Sequence, residues 1–321
     1  MVRYGAPFLK LLTSATLFYL LISKVGGRMI VSHIRLLNPL LFAAAVGLYL
    51  LSAFISTLRW KLLIPQGIGT RKLFGMYMIG SFFNHYMPGG VGGDAVKAYY
   101  LSRVVKGMGR SAGTPPVQSA DHNAVAIASV FMDRYLGLSA LLVIGITAFP
   151  FGFPYLKAAS GQLPIMWVIP SLAAGYLLVS IAVFKFKVGE RLHFLGKAYR
   201  YLHLYISKKE NLAKAVLYSL IIQILVVVSV YILSRGLFLH ISFLSLLIFV
   251  PIIILVSMIP VSISGIGLRE GAFVFLLRAV GIPPEMSMSL SIVWYLSVFS
   301  ASLWGLFEYL SFKAVFGGKK E

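Results

Sequence analysis

Long runs of apolar residues dominate the chain, and polar residues are confined to shorter stretches between them. A helix needs about 20 predominantly apolar residues to cross the hydrocarbon core of a bilayer. Six segments meet this requirement: 7–24, 36–58, 124–149, 164–184, 215–235 and 286–312. Strands of a transmembrane β-barrel would instead be about 10 residues long and would alternate in polarity. We therefore expect an all-α polytopic membrane protein with six full transmembrane helices.

Two further apolar segments, 73–104 and 243–280, are each interrupted by glycine and proline. Each has an apolar half-helix, a break, an acidic residue and a second short helix; the breaks are MPGGVGGD (87–94) and PVSISGIGLRE (260–270). Non-helical backbone at membrane depth is tolerated only where protein or a water-filled cavity covers it. We interpret both segments as re-entrant hairpins that return to the side from which they entered. Two kinked helices in an ordinary bundle are the alternative.

The distribution of basic residues supports this topology. With the N-terminus inside and both hairpins re-entrant, 21 of the 29 Lys and Arg residues fall in cytoplasmic segments and six outside, while Arg134 and Arg269 fall within the membrane. This bias follows the positive-inside rule and places both termini in the cytoplasm. The first hairpin then enters from the cytoplasm and the second from outside. Oppositely oriented broken helices are typical of an inverted repeat whose breaks form a substrate site near the bilayer midplane.

The remaining segments are connections rather than domains. The segment 105–123 is rich in Gly, Pro and Ser, and we expect a flexible cytoplasmic loop there. The segment 187–214 is basic with interspersed aromatic residues, which fits either an interfacial helix or a solvated cytoplasmic loop. The sequence therefore predicts a single integral membrane domain over 1–321, placed in the cell membrane as a multi-pass protein.

Composition excludes several classes of protein. Hydrophobic residues make up 59% of the chain and charged residues 12%, and the mean hydropathy is +0.88. These values exclude a soluble enzyme, a secreted disulfide scaffold and a disordered chain. The net charge of +20 would suggest nucleic acid in a soluble protein, but here anionic lipid headgroups account for it. There is no Cys, and the six His lack ligand spacing, so we predict no metal, no cofactor and no nucleic-acid partner.

Ionisable residues at membrane depth are the first candidates for function, since each costs about 3 kcal/mol or more to place there. The candidates are Asp94, Lys97, Asp133, Arg134, Arg269 and Glu270. Their formal charges sum to zero, which fits a mutually compensating network. Neighbours on a helix point about 100° apart, so we expect partners on other elements rather than adjacent in sequence. A purely structural salt-bridge scaffold is the alternative.

Glycines in the two breaks are the second set of candidates. Gly89, Gly90, Gly92 and Gly93 in the first break, with Gly265 and Gly267 in the second, permit positive φ and close approach of backbone N–H groups to a ligand. Each break opens a helix N-terminus, which favours phosphate binding. Arg269 would add a fork of donors. The abundant anion in a bilayer is a phosphate-bearing lipid headgroup, although Asp94 could merely cap its own helix.

Three motifs resemble those of the lysylphosphatidylglycerol synthase transmembrane-region family: FFNHYMPGGVGGDAVKAYYL (82–101), MDRYLGL (132–138) and PVSISGIGLREGAFVFLL (260–277), together with the Arg59-Trp60 pair. The resemblance implies a flippase-like protein without the soluble domain that transfers lysine from tRNA. It also implies functional roles for Asn84, Pro88, Gly92, Gly93, Asp94, Asp133, Arg134, Ser264, Gly265, Gly267, Arg269 and Glu270.

Three functions remain open from the sequence. We favour a flippase or scramblase that binds the phosphate of an anionic or aminoacylated phospholipid or of a polyprenyl-phosphate lipid at the midplane. The alternatives are a membrane-embedded transferase acting on a polyprenyl-phosphate lipid, with Asp94 or Glu270 as general base, and a non-catalytic membrane partner of a separate synthase or transferase. Catalysis is the less favoured reading, because no donor-binding domain or nucleophile constellation is evident in the sequence.

Overall fold

The computed structural model describes residues 5–64, 66–86, 92–111, 122–160, 168–185, 209–259, 261–262 and 264–317. All regular elements within these ranges are helical. The helices are α1 Gly5–Val25, α2 Gly27–Arg35, α3 Pro39–Lys61, α4 Thr70–Tyr86, α5 Gly92–Ser111, α6 His122–Ser160, α7 Val168–Phe184, α8 Lys209–Gly236, α9 Phe243–Ser257, α10 Leu268–Leu277, a 3-10 turn Arg278–Val280, α11 Pro284–Ser302 and α12 Trp304–Gly317.

Four stretches of helix within these ranges are long and apolar enough to cross a membrane: Pro39–Lys61, His122–Phe151, Lys209–Gly236 and Pro284–Ser311. They coincide with four of the six predicted spans. A fifth candidate is the pair α1 and α2, which is bent by 83°. The predicted span 164–184 corresponds to α7, and its first four residues lie outside the described residues. The prediction of a multi-helix membrane protein is therefore confirmed at this level.

Helix boundaries differ from the predicted ones at the two expected loops. Helix α5 continues to Ser111, into the predicted loop 105–123, and α8 begins at Lys209, within the predicted loop 187–214. The extension of α5 has a physical reason, because Val105, its first residue, packs against the core cluster that contains Leu101 and Val104. Residues 112–121 and 186–208 lie outside the described residues.

The contacts between helices repeat in the two halves of the chain. Helices α3, α4, α5 and α6 correspond, in that order, to helices α8, α9, α10 and α11. Each of four contacting pairs has a corresponding pair that is also in contact: α4–α5 corresponds to α9–α10, α5–α6 to α10–α11, α3–α4 to α8–α9, and α3–α11 to α8–α6. Helices α3 and α8 pack on each other at the centre of this pattern.

Helices α3 and α8 run antiparallel. At one end, the N–H of Asn38 donates to the carbonyl oxygen of Gly236 at 3.0 Å. At the other end, Arg59 Nη1 donates to Ser219 Oγ at 2.9 Å. The start of α3 therefore lies beside the end of α8, and the end of α3 lies beside the first half of α8, so the two equivalent elements of the halves point in opposite directions.

Candidate functional site

The second predicted break contacts the end of α4, the helix that precedes the first break. Ser264, between α9 and α10, donates from its hydroxyl to the carbonyl oxygens of Asn84 at 3.2 Å and His85 at 3.4 Å, both in the last turn of α4. The backbone around Ser264 is folded with positive φ at Ser264 (51°), Gly265 (74°) and Gly267 (87°). At Gly265 a β-carbon would also lie 2.9 Å from the carbonyl oxygen of Ser257. The second break is thus a tight turn packed against the last turn of α4.

A cavity of about 680 Å³ lies beside this contact. The end of α4, the first turns of α5 and the break between α9 and α10 line it, together with α6 and α11. Its polar lining residues are Asn84, His85, Asp94, Ser257, Ser262, Ser264, Arg134, Arg269 and Tyr295. The Ser262 hydroxyl is buried and has no hydrogen-bond partner among the described residues. The rest of the wall is mostly apolar, so the cavity combines a small number of convergent polar groups with an apolar surface, as ligand sites commonly do.

Asp94 and Arg134 form an ion pair at the wall of this cavity. Arg134 Nε lies 2.6 Å from Asp94 Oδ2, and Arg134 Nη2 lies 3.1 Å from Asp94 Oδ1. The pair joins the first turn of α5 to α6 and has the bidentate geometry of a strong arginine–carboxylate contact. The Arg134 side chain is 49% exposed, whereas that of Asp94 is 11% exposed. The guanidinium group is therefore accessible from the cavity while it holds the carboxylate.

Asp133 lies in a separate buried cluster that does not line the cavity. Its carboxylate contacts Arg59 Nη2 at 2.9 Å and Lys97 Nζ at 3.1 Å, so three elements, α3, α5 and α6, are joined by one acid. The cluster carries one positive charge in excess. Lys97 Nζ lies 4.6 Å from the ring centroid of Trp60 and 4.2 Å from that of Tyr77, and these rings stabilise the extra cation.

Arg269 and Glu270 pair with each other at the start of α10. Arg269 Nε lies 3.0 Å from Glu270 Oε1, and Arg269 Nη2 also contacts that oxygen. The Ser291 hydroxyl of α11 donates to the same oxygen at 3.2 Å. The Arg269 guanidinium lies 4.4 Å from the ring centroid of Tyr295. The expectation that adjacent ions find partners on other elements holds for Asp133 and Arg134 but is wrong for this pair, because two long side chains in the first helical turn can reach each other.

Two N-terminal amides that the sequence offered as ligand donors already have partners. The N–H of Gly93 donates to Asn84 Oδ1 at 2.9 Å, and the N–H of Gly267 donates to Glu270 Oε2 at 2.6 Å. Each hairpin therefore caps its second helix with a side chain of its own. Arg134 and Arg269 line the cavity, whereas Gly93 and Gly267, which carry these two amides, do not.

The predicted site residues thus separate into three groups. Asn84, Asp94, Arg134, Ser264, Gly265 and Arg269 line the cavity; Gly93, Gly267 and Glu270 support it; and Lys97 and Asp133 lie in the buried cluster. Gly92 begins α5. Pro88 and Gly89 lie outside the described residues.

Several residues of the site were missed by sequence reasoning. Arg59 was counted as cytoplasmic because it ends an apolar span, but it is only 5% exposed and its charge is part of the Asp133 cluster. The only signal for it was its place beside Trp60 in a motif. His85 and Tyr295 line the cavity without any periodic pattern that would mark them, whereas the Ser262 hydroxyl belongs to the second break that the sequence already offered for ligand binding. Among the described residues, no group of three or more His, Asp or Glu side chains is arranged to hold a metal ion.

The helical architecture and the ion-lined cavity between two broken-helix units define a multi-pass membrane protein. The chain matches the lysylphosphatidylglycerol synthase TM region family over residues 8–305, and it belongs to this family. The resemblance drawn from the three motifs is therefore confirmed. A UPF0104 membrane protein of Methanothermobacter thermautotrophicus is 23% identical over 304 residues, covering 84% of each chain. No solved structure matches the chain.

Proposed function

We propose that this protein binds the phosphate-bearing headgroup of a membrane lipid in the cavity and moves that lipid between leaflets as a flippase or scramblase. The observation that carries the proposal is that Arg134 and Arg269, one from each half of the chain, line the same cavity. A guanidinium fork matches phosphate geometry, and two of them from opposite halves can hold one headgroup between the hairpin tips.

The apolar wall of the cavity suits the rest of a lipid. Ile127 and Phe131 on α6 and Met258 and Ile259 after α9 line the cavity, and each is at least 40% exposed at the surface of the chain. A polytopic protein presents such residues to acyl chains rather than to water. A lipid can therefore place its headgroup near the arginines while its chains remain in the bilayer.

The proposed membrane arrangement has six full spans and two re-entrant hairpins that enter from opposite sides, with both termini on the cytoplasmic side of the cell membrane. The repeated contact pattern and the antiparallel packing of α3 on α8 support it. These are the relationships that an inverted repeat with an axis in the membrane plane would produce. Rocking of one half against the other would then expose the cavity to each leaflet in turn.

A reconstitution assay tests the transport function. The purified protein is placed in vesicles with headgroup-labelled phosphatidylglycerol, and the fraction of label accessible to an impermeant quencher is followed with time. We expect Arg134→Gln and Arg269→Gln to slow the exchange by roughly tenfold or more, because hydrogen bonds to charged groups contribute about 1.5–3 kcal/mol each. Arg278→Gln is the matched control, since Arg278 is exposed at the end of α10 and does not line the cavity.

Three outcomes are informative. Exchange at the rate of protein-free vesicles, with folded protein present, would contradict transport of a phosphate lipid. Equal rates for the wild type and both cavity variants would contradict the site. A change in the mass of the recovered lipid would favour the membrane transferase over the flippase, and dependence on a second protein would favour a partner of a separate synthase.

A further inference from the structure

Asp94 has the least compensated carboxylate of the three acids in and around the site. Asp133 has two cationic partners, Arg59 and Lys97. Glu270 accepts from Arg269, from a backbone N–H and from the Ser291 hydroxyl. Among the described residues, Asp94 accepts hydrogen bonds from Arg134 alone. Besides the N-terminus of α5, where it lies, Asp94 is therefore compensated by one guanidinium group among the described residues.

The same guanidinium group is the one most available to a ligand. Arg134 is half exposed and lines the cavity, and its Nε and Nη2 atoms are the atoms that hold Asp94. A phosphate that binds Arg134 must either displace Asp94 or share Arg134 with it. In both cases, Arg134 and Arg269 face Asp94, Glu270 and the phosphate, so negative charge exceeds positive charge by one in a half-open, largely apolar space. Uncompensated charge in such a space is costly, and a carboxylate there responds by binding a proton.

We infer that this protein couples binding of a phosphate-bearing headgroup to the uptake of one proton by Asp94. The inference rests on the proposed function, because it takes the cavity to be the headgroup site. The proton is taken from the bulk solution and adds to a carboxylate oxygen of Asp94, which becomes a neutral acid. Arg134 then pairs with the phosphate, and the protonated carboxyl group can donate to a phosphate oxygen. Release of the lipid returns Arg134 to Asp94 and expels the proton.

The other ionisable groups near Asp94 are already engaged or are tested separately. They are Lys97 on the same helix, His85 on α4, Asp133 and Arg134 on α6, Arg269 and Glu270 on α10, and Tyr295 on α11. His85 is the competing proton acceptor, because it lines the cavity and its Nδ1 donates to the carbonyl oxygen of Ser81 at 2.9 Å, which leaves Nε2 free to accept a proton.

The test measures the affinity of the purified full-length protein for dioctanoyl phosphatidylglycerol between pH 5 and 9. Uptake of one proton on binding means that the affinity for the lipid falls as pH rises. The fall reaches about tenfold per pH unit over the pH range in which Asp94 is deprotonated in the free protein and protonated in the complex. We expect this slope in the wild type and in His85→Gln, and no slope in Asp94→Asn. Glu210→Gln is the matched control, since Glu210 is an exposed acid paired with Lys214.

Each result decides a different point. Binding of the wild type without a pH slope would overturn proton coupling and leave the headgroup site intact. A slope that persists in Asp94→Asn and disappears in His85→Gln would overturn the assignment of the proton to Asp94. Absence of binding at every pH would overturn the proposed function itself. A direct count in weakly buffered solution, expected to give one proton taken up per lipid bound by the wild type, decides the inference even if Asp94→Asn does not fold.

Discussion

Asp133 and Arg134 are neighbours on α6 but belong to different ion clusters. Asp133 points into the buried interface with Arg59 and Lys97, while Arg134 reaches Asp94 at the cavity wall. The buried cluster joins α6 to α3 and α5 immediately behind the cavity. We conclude that Asp133 fixes the rotation of α6 about its axis and thereby holds the neighbouring Arg134 toward the cavity.

Replacing Asp133 tests this structural role. Asp133→Asn would leave Arg59 and Lys97 buried without a counter-ion, at a cost of about 3–5 kcal/mol. We expect a marked fall in the thermal unfolding midpoint of the purified protein. The exposed pair provides the control, because Glu210→Gln should change stability by less than about 0.5 kcal/mol. Equal stability of the two variants would show that Asp133 does not hold the cluster together.

Loss of either ion in the cavity is expected to abolish transport. Asp94→Asn cannot reform a charged pair with Arg134, so the headgroup is not expelled, and Arg269→Ala removes one of the two phosphate forks. Protein abundance is measured beside transport, because Arg269→Ala also leaves Glu270 buried without its cation. Normal transport by both variants at normal abundance would refute the site, and Arg278→Ala should behave as the wild type.

Gly267 tests the backbone of the second break. Its φ is 87°, so alanine there should cost about 1 kcal/mol and shift the start of α10, which carries Arg269. We expect Gly267→Ala to be expressed at normal levels but to retain less phosphatidylglycerol on purification. Gly271→Ala is one turn further along the same helix, where a β-carbon meets no atom within 4 Å, and should bind lipid normally. Equal lipid retention in the two variants would show that the second break is not part of the headgroup site.

Gly93 tests the packing of the first hairpin. A β-carbon at Gly93 would collide with the backbone carbonyl of Gly80 on α4 and lie 2.7 Å from the Asn84 side chain. Backbone cannot move away as a side-chain end can, so Gly93→Ala should separate α4 from α5 and reduce the yield of folded protein. Gly107→Ala, on the same helix with open space around it, is the control. A normal yield for Gly93→Ala would mean that the two helices tolerate a wider separation.

The topology is testable by cysteine labelling, because the chain has no native cysteine. Cysteine at Ser111 and at Lys320 should be protected from an impermeant thiol reagent added outside intact cells, whereas cysteine at Lys157 should react. These outcomes follow from the excess of basic residues on the cytoplasmic side. Labelling at Ser111 would show that the first hairpin crosses the membrane.

The sequence was sufficient for the helices and for most of the ionisable residues, because apolar runs and charges at membrane depth are strong local signals. The sequence was insufficient to predict which ionisable residues pair with each other. From the sequence, Arg59 is a basic residue at the cytoplasmic end of a predicted span. Only the packing of α3 against α6 shows that its side chain is buried beside Asp133. The pairing of Arg269 with Glu270 contradicts simple helical geometry because side-chain length compensates for the angle between neighbours. His85 and Tyr295 come together only through the approach of α4 to α11, which has no local signal.

The two halves of the chain share a contact pattern but not the same electrostatics. Asp94 and Glu270 are each the third residue of the second helix of a hairpin, yet Asp94 binds an arginine on another helix and Glu270 binds the arginine beside it. Separating α5 from α6 therefore breaks two ion pairs, Asp94–Arg134 and Lys97–Asp133, whereas separating α10 from α11 leaves the ion pair of α10 intact. A transporter with identical halves would spend equal time open to each leaflet. Here the resting protein should favour one of the two orientations, and the dwell times in the two should be unequal.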